Sequence, residues 1–421
     1  MPLPTKVQPA RRISRALTLV LALATTTWIA HAQTFSVLHS FSGGGDGAAP
    51  MSALTIDQAG NFYGTASGGG IFSPGGTAFK LKRSGSRWTL NPLFEFAEDD
   101  EGGANPLAGL IFGTDGSLYG TNSQGGLTGS GVVYKLQPPP TACKSVLCYW
   151  SFGFIYAFGA PGADRSFPGA ENDGKYPSGN LAVDSANHFY GTTQAGGDFS
   201  AGTVFEMARI RGDWTETVLY DFAGGQDGSQ PSDGVVLDSA GNLYGTTPFG
   251  GSQNCQGGCG IVFQLTLTNG IWVEHVLYRF QGGADGQNPY AGLAIDAAGN
   301  LYGATYKGGT NQGGTVFELT PSGGSWTHTV LYNLAGSGNG PYGRLTRDSA
   351  GNLYGTTVMP STLFKLTHSG GGWTYTDLHD FTTSDGQSPR SAVTLDPQGN
   401  IYGTASMGGA NSQGTIWEFA P

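Results

Sequence analysis

Tyr290, Tyr342 and Arg390 each directly follow a proline, and Arg344 lies two residues beyond Tyr342. A guanidinium fork suits a carboxylate or another anion, and a tyrosine ring offers an apolar face with a polar rim. Together the four residues form a candidate site for an anionic or sugar ligand. The alternative is that Arg344 and its neighbour Arg347 simply pair with nearby acids such as Asp348.

Carboxylates raise a second possibility. A long loop carries Asp164, Arg165, Glu171 and Asp173, and an earlier loop carries Glu98-Asp-Asp-Glu101. Glycoside cleavage needs two such groups about 5–9.5 Å apart, so Asp99, Asp100, Glu171 and Asp173 are the residues an enzyme would use first. Solvated loop charge accounts for the same residues without catalysis. Asp46, Asp173, Asp227, Asp285 and Asp385 recur in Asp-Gly pairs, one per loop. Calcium wants about 6–8 oxygens, whereas Asp-Gly is a common turn, and the turn reading is preferred. The aspartates of the Asp-x-Ala-Gly-Asn segments, Asp57 through Asp396, read as turn formers too. No catalytic residue, metal or cofactor is assigned. There is no Gly-x-Ser-x-Gly elbow, no His-x-x-x-His pair and no phosphate loop.

Cysteines come in two close pairs, Cys143 with Cys148 and Cys255 with Cys259. In an exported chain they read as two local disulfides pinning loop insertions, rather than as a four-cysteine zinc site.

What positions these residues is a repeat. A Tyr-Gly pair preceded by Leu, Ile or Phe recurs at Tyr63, Tyr119, Tyr190, Tyr244, Tyr302, Tyr354 and Tyr402. Spacings near 50 residues fall in the propeller range. Each repeat holds four strand-like runs, as in Tyr290–Asp296, Leu301–Thr305, Gly314–Thr320 and Trp326–Tyr332. The third run begins near Thr77, Val132, Thr203, Ile261, Thr315, Thr362 and Thr415. The fourth begins at Trp88, Trp150, Trp214, Trp272, Trp326 and Trp373, and such periodic aromatics read as packing between repeats. The missing fourth run stands at the other end of the chain, Thr34–Phe41. The expected fold is therefore an all-β, seven-bladed propeller of four-stranded blades. Its ring is closed by the N-terminal strand completing the C-terminal blade, which removes exposed edges. The second-to-third and fourth-to-first connections would share one face, the top.

The sixth unit breaks the pattern most, with Ser337 where Asp is usual and a short Val358-Met-Pro-Ser361 loop. Arg344 and Arg347 also belong to this unit, which places the candidate notch beside it.

The chain opens with a leader. Lys6, Arg11, Arg12 and Arg15 precede an apolar run, and Ala30-His31-Ala32 offers a small–x–small cleavage site before Gln33. Residues 1–32 are thus expected to be a signal peptide and 33–421 one propeller domain, without a membrane span after cleavage. The leader holds four basic residues and no acidic one, so the remainder is more acidic than the whole chain's net −10. Such a surface argues against nucleic acid as a partner.

The repeating unit Gly283-Ala-Asp-Gly-Gln-Asn-Pro-Tyr-Ala-Gly-Leu-Ala-Ile-Asp-Ala-Ala-Gly-Asn-Leu-Tyr-Gly303, continued by Gly313-Gly-Thr-Val-Phe-Glu-Leu-Thr-Pro321, resembles the GloVer tandem-repeat family. That resemblance covers the chain beyond the leader and implies an exported or surface repeat protein with a choice of anchor, and no established activity. No sorting segment follows the last repeat, which favours a secreted or periplasmic form. The expectation is a monomeric, non-enzymatic binding or scaffold module for a glycan, small molecule or protein. A carbohydrate-active hydrolase or lyase is the alternative.

Overall fold

A computed structural model describes residues 1–2, 33–71, 74–85, 87–97, 102–139, 150–159, 172–336 and 338–421. Most of the expected signal peptide therefore lies outside the described residues.

Seven antiparallel sheets form, one per repeat, and together they make a seven-bladed β-propeller. The fourth blade shows the plan, with Val236–Leu237 innermost, then Leu243–Thr247, Ile261–Thr268 and Ile271–Arg279 outermost. The third blade adds Lys175–Pro177, paired to Phe189–Ala195 beside the usual inner strand. Thr34–Ser40 pairs antiparallel with Thr415–Ala420, so the last blade takes its outer strand from the front of the chain. Phe41 follows that strand and is fully buried against Phe79 of the first blade.

The Tyr-Gly repeat explains how blades are built and joined. Each glycine lies beneath a third-strand aromatic of its own blade. A Cβ on Gly245 would stand 2.5 Å from Phe263 Cζ, so only glycine lets the ring lie flat on the second strand. The tyrosine hydroxyl donates to the hairpin aspartate. Tyr63 reaches Asp57 at 3.0 Å, Tyr244 reaches Asp238 at 3.0 Å and Tyr402 reaches Asp396 at 3.2 Å. The same carboxylates accept turn N–H groups, for example Ala59 and Asn61 on Asp57 at 2.9 Å. The turn reading of these aspartates accounts for all of these bonds.

Tryptophans then bind blade to blade. Trp88 packs edge-on to Tyr402, Trp150 to Tyr63, Trp214 to Tyr119, Trp326 to Tyr244 and Trp373 to Tyr302, each ring on the preceding blade's tyrosine. Farther out, an aromatic belt runs around the ring. Phe94 stacks on Phe152, Tyr278 on His328, Tyr332 on Tyr375, and His379 on Phe35. At two of these interfaces a glutamate, Glu216 or Glu274, replaces the second ring and faces Tyr156 or Tyr220.

Candidate functional site

The top loops reach the axis by a repeated backbone device. The residue before each of six loop prolines takes a left-handed conformation: Ala49, Asn105, Tyr176, Gln230, Asn288 and Ser388 have φ between 50° and 61°. Proline disfavours the α conformation in the residue before it, and a strained alternative persists only when the surroundings fix it. Here they do. Asn288 N–H donates to Cys259 C=O of the preceding blade at 2.9 Å, and Gln230 N–H to Ala201 C=O at 2.7 Å. The proline ring then docks where the preceding blade offers a glycine, since a Cβ on Gly260 would strike Pro289 Cδ at 2.5 Å.

The next residue of every blade is thereby delivered to one place. Met51, Leu107, Ser178, Ser232, Tyr290, Tyr342 and Arg390 all line a single cavity of about 260 Å³ at the mouth of the central channel. Its wall falls into three arcs. Met51 and Leu107 are apolar; Ser178, Asn180, Gln194 and Ser232 offer hydroxyls and amides; Tyr290, Tyr342, Arg344 and Arg390 offer rings and cations. All four residues singled out from the sequence thus line one cavity. Tyr290 and Tyr342 stack at 5.1 Å between centroids, 14° from parallel, and Arg390 lies 5.4 Å over Tyr342. Burial raises both phenol pKa values. Around Tyr290 the neighbouring Tyr342 and Tyr306 add to the effect, and beside Tyr342 the Arg390 charge opposes it.

Neither Arg344 nor Arg347 pairs with the nearby Asp348 that the sequence suggests. Asp348 is occupied by its own turn, accepting Ala350 and Asn352 N–H and the Tyr354 hydroxyl. Arg347 turns away and lies 5.8 Å over Tyr302. Arg344 instead faces Asp233 of the fourth blade, Nε to Oδ2 at 3.5 Å. That carboxylate already accepts Gly292 N–H at 2.9 Å and Gly234 N–H at 2.8 Å. Arg344 Nε and Nη2 are buried and make no hydrogen bond among the described residues. Asp233 was missed in the sequence because it occupies a position that is alanine, serine or glycine in the other repeats and lies in a different blade from Arg344.

The loop aspartates do local work. Asp227 accepts from Tyr220 and Asp285 from Tyr278 at 2.7 Å; Asp46 lies 3.0 Å from His39 and Asp385 lies 3.0 Å from His379. Asp173, a first choice for catalysis, is 1 % exposed and holds Tyr156 Oη at 2.5 Å and Gly159 N–H at 2.8 Å. It therefore faces the belt between blades and does not line the axial cavity. Asp99, Asp100, Glu171, Ser337, Asp164 and Arg165 lie outside the described residues, as do Cys143 and Cys148. Cys255 and Cys259 form a disulfide with Cα atoms 5.0 Å apart. Among the described residues no cluster of His, Cys, Asp and Glu could hold a metal, and no helix is long and apolar enough to cross a membrane.

The model of the Gloeobacter/Verrucomicrobia repeat matches residues 25–158, 150–270 and 216–417. The chain belongs to that repeat family. No curated protein matches it in sequence. Among solved structures it is similar to a polysaccharide lyase, with TM-score 0.51 and 10% identity over 87% of this chain and 89% of that one. A 6-phosphogluconolactonase-type protein from Bacteroides uniformis gives TM-score 0.49 and 14% identity over 79% and 86%. At these identities the likeness is one of fold.

Proposed function

We propose that this propeller is an exported binding module that holds a sugar acid in the axial cavity. One observation carries the reading. Arg344 presents buried, unbonded guanidinium nitrogens in a cavity whose other charged groups, among the described residues, are only Asp233 and Arg390. The lining therefore carries one net positive charge on a chain of net −10. A carboxylate supplied by a ligand would give that surplus positive charge an anionic partner. Tyrosine faces suit the C–H side of a sugar ring, and the serine and amide arc suits its hydroxyls. A cavity of about 260 Å³ has room for one such ring.

Holding is favoured over cleaving. Hydrolysis needs two carboxylates at one scissile bond, and the described cavity lining contains only Asp233, whose oxygens accept backbone N–H groups. Tyr290 and Tyr342 have raised pKa values, which makes them poor bases at neutral pH. The leader and the local disulfide fit an oxidising, exported setting, secreted or periplasmic.

Calorimetric titration of residues 33–421 with glucuronic and galacturonic acid, and with glucose and galactose, tests the reading. Only the acids should bind, more weakly as salt rises, and Arg344→Ala with Arg390→Ala should abolish binding. Equal binding of neutral sugars, or undiminished binding by the double variant, would overturn it. Release of new ends from acidic polysaccharides would replace it with the catalytic alternative.

A further inference from the structure

We infer that the ligand is an acidic oligosaccharide, which continues out of the axial cavity into a second groove across the top of the fourth and fifth blades. This inference rests on the axial reading above and names what that site recognises. The groove has a volume of about 640 Å³, more than twice that of the axial cavity, and Tyr290 lines both. Phe249 also lines it, 6.0 Å and edge-on from Tyr290, so rings run in series from Phe249 through Tyr290 to Tyr342. A row of aromatic rings leading out of the axial cavity fits a ligand longer than one sugar.

The polar lining agrees. Gln230, Gln256 and Gln287 bring amides, which match hydroxyls, and Lys307 is the only charged side chain lining the groove among the described residues. The groove is therefore cationic as well, and a second carboxylate one or two sugars along would meet it. Its outer wall is the enlarged loop of the fourth blade, closed by the Cys255–Cys259 disulfide and by Gly258 N–H donating to Cys255 C=O at 3.0 Å. Cys255, Gln256 and Gly257 all line the groove, so the insertion builds binding surface at this one blade junction.

Galacturonic acid and its linear dimer to tetramer, with the corresponding glucuronate series, are the probes. Affinity in at least one series should rise about 10-fold or more from monomer to trimer and then level off. Phe249→Ala and Lys307→Ala should each remove most of that gain while leaving monomer affinity within about 2-fold, which also shows the variants to be folded. Lys307 is exposed, so its replacement does not disturb the core. Monomers that bind as tightly as trimers in both series would overturn the groove and leave the axial reading intact. A chain-length gain that survives both substitutions would also overturn it. Absence of binding by every monomer and oligomer would refute the axial reading and this inference with it.

Discussion

Glu216→Gln should stabilise the protein increasingly as pH rises. Glu216 sits on Asp213–Asp221 of the third blade, where the matching position of other blades holds Phe35, Phe152, His328 or Tyr375. Burial, then the nearby Asp173 and Asp221 charges, push its carboxyl from 4.5 up to about 8. A hydrogen bond with Tyr156 works the other way and offsets only part of that rise. Because the folded value is raised, the stabilisation is complete below the unfolded value of 4.5 and is lost as pH climbs through about 8. At about 1.36 kcal/mol per pH unit, the cost relative to a group that never ionises is under about 1 kcal/mol at pH 5 and about 3 kcal/mol at pH 7. It approaches about 5 kcal/mol at pH 9, an upper bound because solvent at the strand edge screens part of it. Glutamine keeps the size and shape of the side chain and never ionises. Melting temperatures of wild type and E216Q, followed from pH 5 to 9, should diverge by several degrees. Parallel curves, with a constant gap at every pH, would refute the assignment of a buried neutral acid.

Removing Thr34–Phe41 exposes the edge Thr415–Ala420 and vacates the fully buried Phe41 site, so the truncated chain should unfold or aggregate. An unchanged melting curve and elution volume would count against ring closure as a stabilising device. Gly245→Ala places a methyl against Phe263 and should cost about 2–3 kcal/mol, whereas Gly370→Ala, with nothing within 4 Å, should be nearly neutral by thermal melting. Asp233→Asn should leave the Arg344 charge without a counter-ion and lower stability by about 1–3 kcal/mol, and adding Arg344→Met should restore most of it. Additive losses in that double-variant cycle would show that the two residues do not interact.

The difference between what the sequence discloses and what it hides follows from the propeller's two kinds of contact. Contacts that recur are legible, because a requirement met blade after blade leaves a periodic residue: the glycine under Phe263, the tyrosine on Asp238 and the tryptophan on the preceding blade's tyrosine. Strand offsets at the two termini are legible for the same reason, since a ring missing an outer strand at one end and holding it at the other closes in one way. Across the axis the logic reverses. Ring closure sets the position after the loop proline of every blade around one cavity whatever the distance along the chain, so Tyr290, Tyr342 and Arg390 can be read as companions from their shared place in the repeat. The partner of Arg344 cannot, because Asp233 stands where the other repeats carry alanine, serine or glycine, and chain proximity points to Asp348, which its own hairpin already uses. Periodicity likewise hides Glu216 and Glu274. They read as ordinary strand residues until the aromatic belt shows that each stands where a ring belongs, facing a tyrosine of the preceding blade. In this fold the repeat encodes the scaffold, and the departures from it that face the axis encode the site. A departure on the inner rim such as Arg344 is therefore a stronger pointer to ligand binding than one at a hairpin end, such as Arg347 over Tyr302.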